Sequence, residues 1–210
     1  MLTPEERERV RAAVARAESG LSAEIVPCVY DQSSPYPEAL WAGAGAAVSL
    51  ACATIFLADM IRPLWVALST LILWVPAAGL AGAAVGRWCR PVKRFLIGRR
   101  RMEESVARRA KEVFFDVGVS RTSARGGVLV FASLLERRVV VLADEGVPSK
   151  AKPEAWDAAV AVMTRAAADG RVADGLVAAV EDVAKALKAA GLTGKSGGQL
   201  GDDPLVRGSR

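Results

Sequence analysis

Two long apolar runs, at residues 39–58 and 63–85, dominate the pattern of hydrophobic and polar positions along this chain. Neither run contains a charged residue, and the first would form a helix roughly 30 Å long, about the thickness of a bilayer hydrocarbon core. Residues 59–62 leave room for only a tight turn. We therefore predict a helical hairpin over residues 39–85 that crosses a membrane twice. The alternative, two buried helices of a soluble protein, is disfavoured because core helices are rarely apolar on every side at this length.

Small and aromatic residues support this hairpin. Gly43 and Ala47 in the first run, and Gly82 and Gly86 in the second, would lie at similar depths in antiparallel helices, so the two backbones could approach closely there. The tryptophans near the predicted helix ends are Trp41, Trp65 and Trp88. Rings at both ends of membrane helices are typical of an interfacial aromatic belt.

Basic residues cluster directly after the second run, in a juxtamembrane segment over residues 86–101. They are Arg87, Arg90, Lys93, Arg94, Arg99, Arg100 and Arg101. The turn holds only one arginine beside one aspartate, so the positive-inside rule predicts that both termini are cytoplasmic at the inner cell membrane. We find no signal-peptide pattern before the first run. The formal charge of +5 therefore indicates contact with the lipid bilayer, and we expect no nucleic acid as a partner.

The rest of the chain predicts one soluble domain that the hairpin splits, with residues 1–31 in one part and 102–190 in the other. Thr3 and Glu6 have the spacing of a capping box at the start of a helix. Residues 23–30 follow as a strand, in which Pro27 favours an edge or a bulge because proline lacks a backbone donor.

The second part of the split domain contains a β-hairpin, predicted at residues 128–133 and 138–143. Both strands are apolar at nearly every position, so helices should cover both faces of a small central sheet, which is an α/β sandwich. Apolar positions at helical spacing predict helices at residues 106–117, 156–167 and 176–187. Residues 192–210 are Gly-rich and polar, which predicts a flexible tail.

Carboxylates are the main candidates for chemistry, because the chain has no histidine and its three cysteines share no metal-ligand spacing. If the N-terminal strand runs parallel to the first hairpin strand, one end of the sheet collects Asp144 and Glu145 with Thr122 and Arg125. The opposite end would collect Asp31, Glu136 and Arg137.

Asp144 and Glu145 could hold Ca²⁺ or Mg²⁺ through oxygen ligands, with Arg125 contacting a phosphate, as a metal-dependent phosphatase requires. The alternative is structural: Asp144 lies in a turn and pairs with Arg125 or Arg121 at the surface. The structural alternative is favoured because short polar residues favour turns for local reasons.

The run at residues 127–144, GVLVFASLLERRVVVLAD, the N-terminal LTPEE and the EIVP strand together resemble the TPM domain family. The most specific part of the resemblance is SLLERRV at residues 133–139. The resemblance implies an α/β sandwich with a small central sheet. It also brings in a phosphatase activity, which has been proposed for a plant member of the family. This chain departs from commoner members because the membrane hairpin interrupts the domain.

Two functions therefore remain. The first is a membrane-tethered, non-catalytic module that binds membrane proteins or helps to maintain membrane complexes. The second is a metal-dependent phosphatase. We favour the first, because no cluster of residues in the sequence forms a persuasive catalytic set.

Overall fold

The computed structural model describes residues 2–63, 68–122, 125–148, 154–194, 200–201 and 203–207. The chain divides into two compact units. One unit contains residues 1–34 and 103–210, and the other contains residues 35–102. Trp65, which the sequence places in an aromatic belt, lies outside the described residues.

The first unit is built on one sheet, which has four strands within the described residues. The strands are β1 (Glu24–Tyr30), β2 (Gly127–Ser133), β3 (Arg138–Ala143) and β4 (Leu205–Arg207), in the spatial order β3, β2, β1, β4. β1 runs parallel to β2, and β2 and β3 form an antiparallel hairpin. The predicted hairpin is therefore confirmed, and the parallel arrangement on which the sequence analysis based its two groups of polar residues is the one observed.

β4 is the main departure from the sequence prediction, which placed no element in the C-terminal tail. Its three residues pair in parallel with the second half of β1, with Cys28 opposite Leu205. The backbone N–H of Leu200 also donates to a carboxylate oxygen of Glu24, at 2.8 Å. β1 is therefore an inner strand and not the edge strand that Pro27 was expected to favour. Pairing with β4 begins at Cys28, so the described residues place no strand partner beside Pro27 on that side.

Seven helices occur in the described part of the chain. They are α1 (Pro4–Glu18), α2 (Pro37–Ile61), α3 (Leu68–Trp88), α4 (Arg90–Ile97), α5 (Arg99–Asp116), α6 (Glu154–Ala168) and α7 (Val172–Ala189). The predicted capping box begins α1, because the Glu6 N–H donates to the Thr3 hydroxyl and the Thr3 N–H donates to the Glu6 carboxylate. Thr3 therefore fixes where α1 starts.

The two faces of the sheet contribute to two separate hydrophobic clusters. One face of β1 and β2 packs with α1, α6 and α7, through buried side chains such as Ile25, Val130 and Leu176. The other face packs against α5, through Leu129, Phe131 and neighbouring residues. Helices therefore cover both faces, as the apolar character of the strands predicted.

The second unit contains the two apolar helices α2 and α3. Its candidate membrane spans, Pro37–Ile61 and Thr70–Trp88, are long and apolar enough to cross a bilayer. The helices are antiparallel, because residues near the start of α2 contact residues near the end of α3. Gly43 lies against the backbone of Gly82, and Gly86 lies against the carbonyl group of Ala39. The close approach predicted from these small residues is confirmed.

The basic segment after α3 is also helical. α3 ends at Trp88, Cys89 is the N-cap of α4, and Gly98 separates α4 from α5 with a positive φ of 76°. A left-handed or related backbone of this kind favours glycine, which has no Cβ. α3, α4 and α5 are therefore three separate helices and not one long helix.

Candidate functional site

Arg125, Asp144 and Glu145 meet at one end of the sheet, as the sequence predicted. Asp144 follows the last residue of β3, and its backbone N–H donates to the carbonyl of Gly127, the first residue of β2, at 2.9 Å. Arg125 precedes β2 and has a left-handed backbone, with φ of 49°. The Gly146 N–H donates to the Arg125 carbonyl at 2.9 Å. Backbone pairing between β2 and β3 thus brings the three side chains together.

The Arg125 guanidinium lies between the two carboxylates. Its Nε is 3.5 Å from Oδ2 of Asp144, and its Nη1 is 2.9 Å from Oε2 of Glu145. Asp144 is buried, whereas the side chain of Glu145 is 79% exposed. The other Asp144 oxygen, Oδ1, accepts a hydrogen bond from the backbone N–H of Glu145 at 2.8 Å. Asp144 is therefore both a turn residue and an ion-pair partner.

Two buried oxygen atoms at this site have no hydrogen-bond partner. They are Oδ2 of Asp144, which has only the ion pair with Arg125, and the hydroxyl oxygen of Thr122. Calcium takes six or more oxygen ligands and magnesium close to six, some from water. The described residues contain no group of three or more His, Cys, Asp or Glu side chains around a common point. The donor set at Asp144 and Glu145 is therefore small, and the Arg125 guanidinium already offsets one of its two negative charges.

A second polar cluster lies at the opposite end of the sheet, where the sequence analysis placed Glu136 but not the serines that bind it. We call it the Glu136 cluster, and it consists of Ser33, Ser133, Glu136 and Arg109. The carboxylate of Glu136 is 3% exposed and accepts hydrogen bonds from the Ser33 backbone N–H, at 2.9 Å, and from the Ser133 hydroxyl. The Ser33 hydroxyl donates to the Ser133 hydroxyl at 2.8 Å. The Arg109 Nε donates to the Ser33 carbonyl at 3.1 Å.

The fold explains why these residues meet. Tyr30, the last residue of β1, is opposite Ser133, the last residue of β2. Ser33 therefore leaves the sheet beside the turn that contains Glu136. The sequence predicted that Asp31, Glu136 and Arg137 would share this end, but it gave no sign of the serines. The parallel register would have been the only signal, because it aligns the two strand ends.

A small polar cavity of about 90 Å³ lies beside the Glu136 cluster. Its walls are Ser33, Ser34, Ser105, Arg108, Arg109 and Glu112. Arg109 is held on two sides, by the Ser33 carbonyl and by an ion pair with Glu112 at 2.9 Å. A serine nucleophile generally needs an adjacent general base. Glu136 does accept from the Ser133 hydroxyl, but both residues are buried and Glu136 is also held by the Ser33 backbone N–H. The cluster therefore has the character of a structural clamp.

The cysteine in the core of this unit does not provide a nucleophile. Burial raises the pKa of the Cys28 thiol to about 12, and the positive charge of Arg207 on β4 only partly opposes that shift. Burial is also the main cause of the raised pKa of Tyr30. The thiolate is the reactive form of cysteine, so Cys28 is inert at neutral pH.

Comparisons with known proteins agree with this architecture. Residues 94–186 match the TPM domain family, so the match begins in α4 and ends in α7. The NMR structure of the BA42 protein from the psychrophilic bacterium Bizionia argentinensis is similar, with a TM-score of 0.57 and 16% sequence identity. The similarity covers 99% of this chain and 96% of that protein. No curated protein matches the sequence.

At 16% identity, the similarity to the BA42 protein shows a shared fold. The matched segment contains α5, the β2–β3 hairpin, α6 and most of α7, and β1 completes the same sheet although it lies outside the match. The resemblance noted in the sequence is confirmed for this segment. Residues 94–186 therefore correspond to a TPM domain.

Proposed function

We propose that this protein is a multi-pass protein of the inner cell membrane whose α2–α3 hairpin tethers a cytoplasmic TPM domain. The domain acts as a non-catalytic module that binds membrane proteins or helps to maintain membrane complexes. The observation that carries this proposal is the outer surface of the hairpin. Large apolar side chains project outward along both helices, including Phe56, Ile72, Leu73 and Trp74.

This surface is hard to reconcile with water as the only solvent. No part of the most apolar stretch of α2 is buried, and only 6% of the corresponding stretch of α3 is buried. Soluble proteins rarely expose contiguous apolar patches of more than a few hundred square ångströms. A lipid environment satisfies such a surface, and the helical backbone satisfies its own hydrogen bonds in the bilayer core.

The distribution of charge supports the cytoplasmic orientation, and reporter fusions test it. We expect fusions at Ser34 and after Leu200 to report a cytoplasmic location, and a fusion at Met60 to report an external one, because basic loops remain inside. External signals at Ser34 and after Leu200 would contradict the orientation. A cytoplasmic signal at all three positions would contradict the membrane hairpin itself.

The non-catalytic role is supported by the charge balance at Asp144 and Glu145. Arg125 already contacts both carboxylates, so a divalent cation would have to displace or overcome a positive charge. The ion pair also explains why an aspartate can be buried at this position, since buried charges require partners.

A metal-dependent phosphatase is the second candidate function, with Asp144 and Glu145 as metal ligands and Arg125 as a phosphate contact. The two buried oxygen atoms without hydrogen-bond partners, on Asp144 and Thr122, favour it. Bound Ca²⁺ or Mg²⁺ would supply charge neutralisation at a phosphoryl group. The membrane tether is compatible with either role.

One pair of measurements separates these two functions. If Asp144 has a structural role, Asp144→Asn should lower the stability of the protein by about 0.5–2 kcal/mol whether or not metal is present. If it ligates a cation, Ca²⁺ or Mg²⁺ should raise the Tm of the wild type by mass action, and Asp144→Asn should abolish that rise. We expect the first result, together with no hydrolysis of generic phosphoesters. A metal-dependent Tm shift accompanied by turnover would overturn the non-catalytic role.

A further inference from the structure

Helix α4 presents an apolar stripe that no other described residue covers. Phe95 is 86% exposed, and Pro91 is exposed as well. These two residues are four positions apart in α4, so they lie on the same side of the helix. Trp88, the last residue of α3, is also exposed, at 76%. The opposite side of α4 is packed, because Lys93 and Ile97 are buried.

The packed side fixes the direction in which the stripe faces. The Lys93 ammonium lies over the ring of Tyr36, 5.7 Å from its centroid. Both residues belong to the same compact unit. Because Lys93 packs against Tyr36 and Ile97, on the same side of α4, is also buried, Phe95 lies on the opposite, exposed side of the helix. The packing of the opposite side of α4 therefore accounts for the exposure of Phe95.

The chain segment that contains the stripe carries only positive charges. Residues 86–102 contain no aspartate or glutamate, whereas arginines precede α4, lie within it and form the first three residues of α5. One of these arginines, Arg101, pairs with Glu38 at 3.0 Å. An exposed apolar stripe bordered by basic residues is typical of a helix that lies in the plane of a membrane interface.

We propose that α4 is such an interfacial helix and that it binds the headgroups of anionic phospholipids. This inference rests on the proposed membrane tether. Only Cys89 separates α3 from α4, so α4 begins where α3 leaves the bilayer. Phe95 and Pro91 enter the boundary between headgroups and acyl chains, and the flanking arginines contact lipid phosphates. Anionic lipids attract such juxtamembrane basic residues, whereas zwitterionic lipids do so far less.

The experiment places an environment-sensitive fluorophore at position 95 in the full-length protein. Cys52→Ala and Cys89→Ala remove the accessible thiols, Cys28 remains because its buried thiol does not react at neutral pH, and Phe95→Cys carries the probe. The protein is placed in nanodiscs of phosphatidylcholine, with or without phosphatidylglycerol, that contain acyl chains spin-labelled near the headgroup. We expect the probe to lose most of its fluorescence to these quenchers, and more in discs that contain phosphatidylglycerol.

Matched charge variants test the role of the arginines. Arg90→Gln with Arg99→Gln should reduce the additional quenching that phosphatidylglycerol produces. Arg7→Gln with Arg165→Gln removes the same charge from exposed positions in the other unit and should leave that quenching unchanged. Equal effects of the two pairs would overturn the specific role of the basic residues around α4.

A second probe separates failure of this inference from failure of the tether. Leu73→Cys carries the same fluorophore on the exposed surface of α3, and quenchers near the middle of the acyl chain should quench it. Quenching of the probe at position 73, together with a water-exposed probe at position 95, would overturn the interfacial helix but not the membrane tether. The exposed side of α4 would then be available to bind a protein partner. Equal quenching at 95 in both lipid mixtures would overturn the preference for anionic lipids. No quenching at either position would overturn the tether.

Discussion

The contact between Gly43 and Gly82 predicts a large effect from a single methyl group. A Cβ built on Gly43 would approach the carbonyl oxygen of Gly82 more closely than real Cβ atoms do, so the helices must separate to accept alanine. Overpacking of this kind typically costs about 1–3 kcal/mol. Gly45 is the matched control, because a Cβ there has no atom within 4 Å. Alanine also has the higher helix propensity, so Gly45→Ala should be neutral or slightly stabilising.

The assay is unfolding of the full-length protein in mixed micelles by increasing amounts of denaturing detergent. Tryptophan fluorescence reports mainly on the hairpin, because four of the five tryptophans, Trp41, Trp65, Trp74 and Trp88, lie in or beside it. We expect the hairpin transition of Gly43→Ala to shift to lower detergent, and that of Gly45→Ala to stay at or above the wild-type midpoint. Equal midpoints for the two variants would refute the close backbone contact between α2 and α3.

Two further predictions concern the soluble unit. Glu136→Ala removes the acceptor for Ser33 and Ser133 and should destabilise the domain by about 2–4 kcal/mol in urea unfolding. Glu136→Gln should cost less, because the glutamine side chain keeps an acceptor. Equal losses of stability in the two variants would contradict the clamp. The pKa of Cys28 is raised from 9.0 to about 12 on folding. Between these two pH values the unfolded state loses the thiol proton while the folded state keeps it, so the stability that is complete below pH 9 is lost as pH rises toward 12. The loss is at most about 1.4 kcal/mol per pH unit. Cys28→Ala should flatten that alkaline loss, and an unchanged pH profile would contradict it.

Local patterns were sufficient to predict most of the sheet. β2 and β3 are runs of valine, leucine and other apolar residues separated by a short polar turn, so the hairpin needs no distant information. The long connection between β1 and β2 allows their parallel pairing, because parallel strands require a crossover, but it does not by itself determine that pairing. Apolar residues on both sides of β2 then require helices on both faces.

Non-local polar pairing could not be predicted in the same way. β4 contains only two apolar residues, Leu205 and Val206, in a polar tail, and it forms by adding to an available edge of β1. The Glu136 cluster joins residues that are about a hundred positions apart, so no local pattern marks it. The neighbourhood of Arg125, Asp144 and Glu145 was predictable, because a strand pairing places these residues at one sheet end. Whether they bind a metal depends on charge balance, which sequence spacing does not determine.

The position of the hairpin in the chain explains how one domain can contain a long apolar insertion between two of its strands. The crossover between β1 and β2 must already be long, and α5 supplies the part of it that packs on the sheet. The hairpin occupies the remaining part, before α5. Its helices are antiparallel, so the chain enters and leaves it on the same side.

Insertion at this point costs the soluble fold little. The entropy of closing a loop grows only with the logarithm of its length, by about 0.6 kcal/mol for each doubling. A structured insertion whose ends lie close together costs less than a flexible loop of the same length, because its own packing fixes their separation. The hydrogen bonds around Glu136 then fasten the point where the chain leaves β1, since the Ser33 N–H is held by a carboxylate of the β2–β3 turn. The hydrogen bond between Ser33 and Glu136 thus holds the chain in place between the end of β1 and the start of α2.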